Sequence, residues 1–302
     1  MSKHWQDSKE RSTPFTLLTI RWIALHLGRP VARLLLYPIT LYFLLFATAP
    51  RRASMQYLTR VLKRQANWLD CAKHIHTFAS TILDRVYLLT GQFSKLDISF
   101  PAENIPLTYS KNGQGCLLLG SHIGSFEVLR SYAVSNYPLP IKILMYEQQA
   151  PMMVQVLNAL NADVADTLIS LDGSPSGLLK VKEAIDSGTT VGLLGDRILG
   201  EGNDKTVICS LLGEPVKMST APVLLASALK VPLIVFFGIY LGGNRYKIRF
   251  ELLAEEVTLN RKTRQKDIQA YTQKYVDILE KQMLETPYNW FNFYDYWQKD
   301  EQ

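Results

Sequence analysis

Cysteine is scarce in this chain of 302 residues. The three cysteines, Cys71, Cys116 and Cys209, are scattered along the chain and show no Cys-x-x-Cys spacing of the kind found in zinc and redox sites. An odd number of widely separated thiols also gives no disulfide framework. We therefore predict no metal site, and an environment that keeps thiols reduced.

The chain also lacks the Gly-x-Ser-x-Gly pattern of serine hydrolases. The run GSHIG at 120–124 has a histidine at its centre, and the run GSPSG at 173–177 has a proline there. Zinc-finger spacing and an aromatic-rich RNA-binding signature are missing as well. The net charge of +6 therefore favours an anionic substrate or a membrane surface, and no nucleic acid is expected as a partner.

Charge-free apolar runs are short, and the most prominent lies near the start of the chain. Residues 15–49 are strongly apolar, but basic side chains interrupt the first half, so only 34–49 are free of charge. As a helix these residues would span ~24 Å, against a hydrocarbon core of ~30 Å. The segment could cross a membrane, lie in one leaflet as a monotopic anchor, or form a buried helix of a soluble core.

A basic cluster follows this apolar segment directly. Residues 51–64 hold five basic side chains and no acidic one, a pattern typical of contact with anionic headgroups on the cytoplasmic side of a membrane. We accordingly divide the chain into a polar tail (1–14), an anchoring segment with its basic extension (15–64) and a larger domain (65–302).

The larger domain begins with a predicted amphipathic helix at 65–93, after which apolar runs alternate with helical patterns. Strands are predicted at 115–120, 141–146, 165–170, 189–194, 232–240 and 245–253, and helices near 125–136, 151–161, 177–187, 219–230 and 264–285. Such alternation predicts an α/β fold with a central mixed, largely parallel sheet flanked by helices, preceded by the N-terminal membrane-associated helical segment.

His122 is the first candidate for chemistry, because it falls at a turn between a predicted strand and a predicted helix. Ligand sites of α/β proteins lie at the carboxyl ends of strands. Glu127 follows five residues later, and a carboxylate can orient an imidazole so that it acts as a general base. A turn histidine can also simply cap a helix or face solvent.

A second polar strand end comes at Asp196 and Arg197, directly after the predicted strand at 189–194. If that strand and the strand before His122 are parallel neighbours, these side chains point into the same crevice as His122. Arginine suits a phosphate or carboxylate ligand through paired hydrogen bonds. The alternative is an Asp-Arg turn with only local hydrogen bonds.

Taken in order, these blocks resemble the lysophospholipid acyltransferase superfamily, in particular the lauroyl/myristoyl acyltransferases of lipid A biosynthesis. The shared features are the N-terminal membrane helix, a His-x4-Asp/Glu motif met by His122 and Glu127, a later acidic strand end, a glycine turn before an apolar helix, and an aromatic C-terminal segment around Asn289-Trp290-Phe291. Tyr146-Glu147 stands where the lipid A enzymes usually have Tyr-Arg-Pro, and Asp196-Arg197 where they tend to have Asp-Gln. The runs Gly195-Asp196-Arg197 and 121–127 resemble more closely a divergent subgroup of the superfamily that is associated with aryl polyene lipids.

The resemblance implies a membrane-associated enzyme that moves an acyl group from the thioester of acyl carrier protein or coenzyme A to a hydroxyl of a lipid or glycolipid acceptor. His122 would be the base and Glu127 would orient it. Backbone N–H groups of Gly124 and Ser125 would stabilise the oxyanion, and Asp196 and Arg197 would bind substrate. No cofactor is implied, since the acyl thioester is a substrate. The expected location is the cytoplasmic face of a bacterial inner membrane.

Two other functions remain open from the residues alone. One is a lipid esterase, although its usual serine motif is missing. The other is a membrane-attached lipid-binding or assembly protein without catalysis, in which the histidine and carboxylates have no chemical role.

Overall fold

The computed structural model describes residues 22, 24, 26, 28–101, 105–129, 139–146, 167–171, 175–198 and 205–297. The helices are α1 (Gly28–Phe46), α2 (Thr48–Val61), α3 (Trp68–Leu89), α4 (Ile105–Lys111), α5 (Pro175–Asp186), α6 (Ala221–Leu229) and α7 (Arg264–Glu285). The strands are β1 (Asp97–Ser99), β2 (Leu117–Gly120), β3 (Ile141–Tyr146), β4 (Leu168–Leu171), β5 (Thr190–Leu194), β6 (Thr206–Leu211), β7 (Glu214–Ser219), β8 (Leu233–Gly242) and β9 (Arg245–Ala254).

Seven of these strands form one sheet in the order β1-β9-β8-β2-β5-β3-β4. The pairs β8–β2, β2–β5, β5–β3 and β3–β4 are parallel, whereas β9 runs antiparallel to β8. The predicted fold class, a mixed and largely parallel sheet flanked by helices, is confirmed. The two central neighbours β2 and β5 are the strands that precede His122 and Asp196.

Several predicted elements match closely, and others were missed. β3 and α7 have the predicted bounds. The antiparallel hairpin β6–β7 is missing from the predicted strands, although the residues of β6 alternate between buried and more exposed positions as those of a half-buried strand do. Strand β1 was not predicted at all. The predicted helix at 151–161, most of the one at 125–136, the polar tail and Glu147 lie outside the described residues.

Strand β2 is buried on both faces, as expected of a central strand in a parallel sheet. Its Leu117 and Leu119 belong to a core that also contains residues of α2, α7 and the β6–β7 hairpin. Its Leu118 belongs to a second core, with residues of β8 and β9, on the other face. The end of β2, and with it the loop that carries His122, is therefore positioned by packing on both faces of the sheet.

Helix α1 packs lengthwise on α3. Every fourth residue faces inward: Ala32, Leu36, Thr40 and Leu44 are buried. Ala32 and Leu36 meet the end of α3 around Leu83 and Tyr87, and Leu44 meets its start around Cys71 and Ile75. The two helices are therefore antiparallel neighbours over most of their length.

Charged side chains fasten the start of α1 to the domain. Arg29 binds both carboxylate oxygens of Asp84, through Nε at 2.8 Å and Nη2 at 2.9 Å, and Asp84 also accepts from the Tyr246 hydroxyl at 3.0 Å. Arg33 binds the Tyr240 hydroxyl at 2.9 Å and the Gly243 carbonyl at 2.7 Å. Because Asp84 is fully buried, removing Arg29 would leave a buried charge with one uncharged partner, so this fastening is strong.

Candidate functional site

The site lies where β2 and β5 end side by side. The two strands pair in parallel with Gly120 opposite Leu194, and the N–H of Gly195 donates to the Gly120 carbonyl at 3.1 Å. His122 and Asp196 each come two residues after the end of this pairing. The register of the sheet therefore brings them to the same place, although they are far apart in sequence.

The His122 imidazole is held by Asp196. Its Nδ1 lies 2.7 Å from Asp196 Oδ1, and its backbone N–H donates to Asp196 Oδ2 at 2.9 Å. An ionised carboxylate can only accept, so Nδ1 carries the proton and Nε2 presents its lone pair. Among the described residues Nε2 has no hydrogen-bond partner, and 24% of the side chain is exposed.

Asp196 is fully buried, and its charge is met by donors from three directions. Besides the two groups of His122, Oδ2 accepts from the Trp290 indole Nε1 and the Asn292 amide, each at 2.9 Å. These contacts rule out the simpler reading of Asp196-Arg197 as a turn with only local hydrogen bonds. Asp196 is built into the structure as a buried anion beside the imidazole.

The electrostatics favour a neutral imidazole beside an ionised carboxylate. Burial lowers the pKa of His122 below 6.5, and the positive charges of Arg197 and Arg85 lower it further, against the opposing effect of Asp196. Burial by itself would raise the pKa of Asp196, but the His122 imidazole, the Arg197 charge and the backbone N–H of His122 together hold this pKa well below its usual range. At neutral pH the pair therefore has the charge state of a general base with its orienting carboxylate.

Glu127 does not take the predicted position, and this is a correction. Its Oε2 accepts from the Ser125 hydroxyl at 2.9 Å, and its Oε1 forms a 2.8 Å ion pair with Arg85 Nε on α3. The N–H of Arg85 Nε does not point along this contact, so the interaction is an ion pair more than an aligned hydrogen bond. The glutamate turns toward the cation on α3, while the strand register supplies Asp196 to Nδ1 of His122.

The predicted oxyanion donors are also engaged elsewhere. The N–H of Gly124 donates to the Asn289 carbonyl at 2.9 Å, and that of Ser125 donates to the Gly238 carbonyl at 2.8 Å. Gly124 has a φ of 64°, and a Cβ there would lie 2.0 Å from the Gly238 oxygen, so only glycine fits this approach. Gly124 and Ser125 thus fix the loop after His122, and the helical turn begins only at Val128.

Arg197 lies beside the pair, as the strand pairing predicts. Its Nε donates to Asn292 Oδ1 at 2.7 Å, and its Nη2 donates to the Phe291 carbonyl at 3.2 Å. The guanidinium also lies 5.8 Å from the centre of the Tyr294 ring. These contacts orient a positive charge close to His122, where it acts on the imidazole.

The C-terminal aromatic segment, residues 288–297, supplies contacts that the sequence did not reveal. The N–H of Phe291 donates to the His122 carbonyl at 2.8 Å, and Ile123 forms an antiparallel bridge with Trp290. Trp290 is fully buried. The role of Trp290 at the site could not be predicted from the sequence, because nothing in the run of aromatics identifies Asp196 as its partner. The role of Arg85 could not be predicted either, because nothing around it on α3 identifies Glu127 as its partner.

Metal coordination has no candidate in the described part of the chain, where no group of three or more His, Cys, Asp or Glu side chains could hold an ion. His74 and His76, two residues apart on α3, make separate contacts. His74 is buried between Ser54 and Trp290, and His76 bonds Thr40 of α1.

Comparison with known proteins supplies the family. Residues 15–299 match the family model described as bacterial lipid A biosynthesis acyltransferase. No curated protein matches the chain significantly. The match covers nearly all of the sequence, including both strand ends that meet at the site and the aromatic segment that covers them. The chain therefore belongs to the bacterial lipid A biosynthesis acyltransferase family.

Proposed function

We propose that the protein transfers an acyl group from a thioester, carried by acyl carrier protein or coenzyme A, to a hydroxyl of a lipid or glycolipid acceptor at the membrane surface. The family assignment supports acyl transfer in lipid A-type chemistry. The observation that carries the finer proposal is the 2.7 Å contact between His122 Nδ1 and the buried Asp196 carboxylate. It leaves Nε2 as a base and needs no serine nucleophile.

The chemistry follows from this geometry. Nε2 of His122 takes the proton of the acceptor hydroxyl while the hydroxyl oxygen attacks the thioester carbonyl carbon. The tetrahedral intermediate collapses with cleavage of the carbon–sulfur bond. The leaving thiolate is then protonated by Nε2 of the His122 imidazolium, which returns the imidazole to its neutral form. Asp196 stabilises the imidazolium that forms between these steps and keeps the proton on Nδ1.

Positive charge near His122 supports the same reaction. Arg197 and Arg85 both act on the imidazole, and they belong to different elements, Arg197 to the end of β5 and Arg85 to helix α3. With the Gly124 and Ser125 N–H groups already engaged, we assign stabilisation of the developing oxyanion and binding of a carrier or acceptor phosphate to these guanidinium groups. Glu127 holds Arg85 in place for that role.

The direct test supplies purified protein with an acyl-carrier-protein or coenzyme A thioester and a membrane-lipid extract. Release of free thiol and the mass of the acylated lipid are measured together. We expect His122→Ala to lower kcat/KM by about a thousandfold, the range of a lost general base. Asp196→Asn should lower it by at least about a hundredfold, because the amide can donate to Nδ1 and favour the wrong tautomer.

Two outcomes would contradict this proposal. Thiol release that yields free fatty acid in place of acylated lipid would favour the esterase. Lipid binding without thiol release in the wild type would favour the non-catalytic alternative. Lys182→Met, which breaks an exposed ion pair with Asp186 on α5, is the control that should leave kcat/KM unchanged.

A double-mutant cycle tests the placement of Glu127. Because its carboxylate contacts Arg85, we expect Glu127→Gln and Arg85→Met to lower kcat/KM by similar factors, and the double variant to lose little more than either single one. Rate constants of the four proteins at saturating and limiting acceptor give the coupling. Additive losses of kcat/KM would instead mean that Glu127 and Arg85 act independently of each other.

The acid limb of the pH–rate profile should lie below pH 6.5, the ordinary pKa of histidine. Burial and the two arginines lower the pKa of His122, so the base stays unprotonated until the pH falls through that lowered value, and activity is lost only there. Arg197→Gln removes one positive charge, and we expect the acid limb to move to higher pH. Lys63→Gln, an exposed change at the end of α2, should leave the limb in place; an acid limb above pH 6.5 in the wild type would exclude His122 as described.

We further propose that α1 attaches the protein to the membrane by lying along one leaflet. Among the described helices, α1 is the one whose length and composition suffice to cross a membrane. Six of its side chains that share the outward surface are between 48% and 66% exposed: Leu34, Tyr37, Leu41, Tyr42, Leu45 and Phe46. We call these residues the apolar face of α1.

The packing of α1 favours the in-plane arrangement. Its partner α3 carries Asp70, Lys73, Asp84 and Arg85, so an upright α1 would draw charged side chains alongside hydrocarbon. The pair of Arg29 with Asp84 opposes separation of the two helices. At the other end of α1, Arg51 binds the Leu44 and Leu45 carbonyls and lies 4.7 Å from the centre of the exposed Trp68 ring, which suits the headgroup region.

Leu34→Glu and Leu41→Glu in the full chain should each weaken binding to vesicles that contain phosphatidylglycerol, since a carboxylate on the apolar face must enter the acyl boundary. Vesicle co-sedimentation measures the effect. Ile208→Glu, on a residue of β6 that is 51% exposed, is the matched control and should bind normally.

Labelling gives the orientation. His26→Cys and Arg52→Cys flank α1, and the three natural cysteines are buried. An impermeant thiol reagent should label both positions from the same side of sealed membranes. Labelling from opposite sides would mean that α1 crosses the bilayer.

A further inference from the structure

A buried imidazole outside the reacting centre, that of His74 on α3, is the strongest remaining feature. It has no exposed surface, and its ring packs against Tyr57, Phe291 and Phe293 at centroid distances of 5.5, 5.9 and 4.7 Å. Both ring nitrogens are used. Nδ1 lies 2.9 Å from Ser54 Oγ, and Nε2 lies 2.8 Å from the Trp290 carbonyl.

These partners define the tautomer. A carbonyl can only accept, so Nε2 of His74 carries the proton and donates to Trp290. Nδ1 is then the acceptor, and the Ser54 hydroxyl donates to it. Burial lowers the pKa of His74 to about 4, so the imidazole stays neutral around neutral pH and takes no part in proton transfer. It acts as a fixed donor.

Trp290 is held by two hydrogen bonds, one through its backbone carbonyl and one through its indole N–H. Its carbonyl accepts from His74 at 2.8 Å, and its indole N–H donates to Asp196 Oδ2 at 2.9 Å. Asp196 in turn binds His122 Nδ1 at 2.7 Å. An unbroken series of four hydrogen bonds therefore runs from Ser54 on α2 through His74 on α3 to the proposed catalytic base.

We propose that His74 is a positioning residue for the acyl-transfer site: by fixing Trp290 it sets the indole donor of Asp196, and through Asp196 it sets the orientation and basicity of His122. This inference rests on the proposed role of His122 as the base. His74 does not touch substrate. The three contacts that connect Ser54, His74, Trp290 and Asp196 are between buried groups, where hydrogen-bond geometry has its largest electrostatic effect.

The direction of the effect follows from charge. Within the described part of the chain, Asp196, Arg197 and Arg85 are the charged groups that act on His122. If Trp290 is displaced, Asp196 loses a donor and its negative charge is less dispersed, so it stabilises the imidazolium of His122 more. Loss of the His74 contact should therefore raise the pKa of His122 as well as disturb its orientation.

The experiment compares four variants of the full-length protein. His74→Leu removes the donor at similar size, and His74→Gln keeps an N–H donor near the position of Nε2. Trp290→Phe removes the indole donor directly. Ser80→Ala is the control, because Ser80 is equally buried on α3 but its hydroxyl donates to the His76 carbonyl of its own helix. Thermal unfolding of each variant establishes that it is folded.

Two measurements are made on the folded proteins. The first is the titration of His122 followed by NMR of labelled imidazoles, assigned with His122→Ala, which needs no substrate. We expect His74→Leu and Trp290→Phe to move the titration to higher pH, and His74→Gln and Ser80→Ala to leave it near the wild-type position. The second is kcat, which should fall at least about tenfold in His74→Leu with KM little changed.

The double variant His74→Leu/Trp290→Phe should lose little more kcat than Trp290→Phe alone, since both changes act on the same donor. A wild-type titration and kcat in folded His74→Leu would overturn the proposal, as would additive losses or equal losses in His74→Leu and His74→Gln. A wild type without acyl transfer would refute the proposed function instead. The NMR titration would still test the connection between His74 and His122.

Discussion

One buried negative charge, the carboxylate of Asp196, places the strongest demand on this structure. An isolated ion in a protein interior costs several kcal/mol, so every lone pair of the carboxylate must meet a donor. The donors are the backbone and imidazole of His122, the indole of Trp290 and the amide of Asn292. The loop after β2 and the C-terminal aromatic segment therefore have to meet over the end of β5, and the backbone contacts between these segments keep them there.

This requirement gives the aromatic segment a purpose beyond filling space. Its aromatic rings exclude water from around Asp196, while Asn289, Trp290 and Asn292 supply the polar contacts that a purely apolar cover would lack. A dry environment strengthens each of these contacts. It also keeps the carboxylate on His122, because no solvent competes for its oxygens. The pairing that orients His122, the proposed base, and the packing that closes the core are thus the same set of contacts.

The sequence predicted the parts of this arrangement that depend on local periodicity. Alternating apolar runs identified β2, β3 and β5, and the rule that parallel strands end at one edge brought Asp196 and Arg197 to His122. Prediction from the sequence failed for the carboxylate that orients His122, because two carboxylates, Glu127 and Asp196, were candidates. Glu127, five residues from His122, was the nearer carboxylate in sequence, but Arg85, on a helix distant in sequence, attracts it. Contacts between segments so far apart in sequence leave no local pattern. The contacts of Trp290 with Asp196 and of His74 with Trp290 could not be predicted for the same reason.

Helix α3 explains how such distant contacts are coordinated. Three of its residues face three different parts of the molecule: Asp84 binds Arg29 of α1, Arg85 binds Glu127, and His74 binds the carbonyl of Trp290. A shift of α3 would disturb all three contacts together. If α1 lies in the leaflet as we propose, then α3, the helix on which α1 packs, connects the membrane-facing helix to the surroundings of the proposed base. Asp84 and Arg85 are adjacent in sequence, so the fastening of α1 and the placement of the arginine near His122 depend on one turn of one helix.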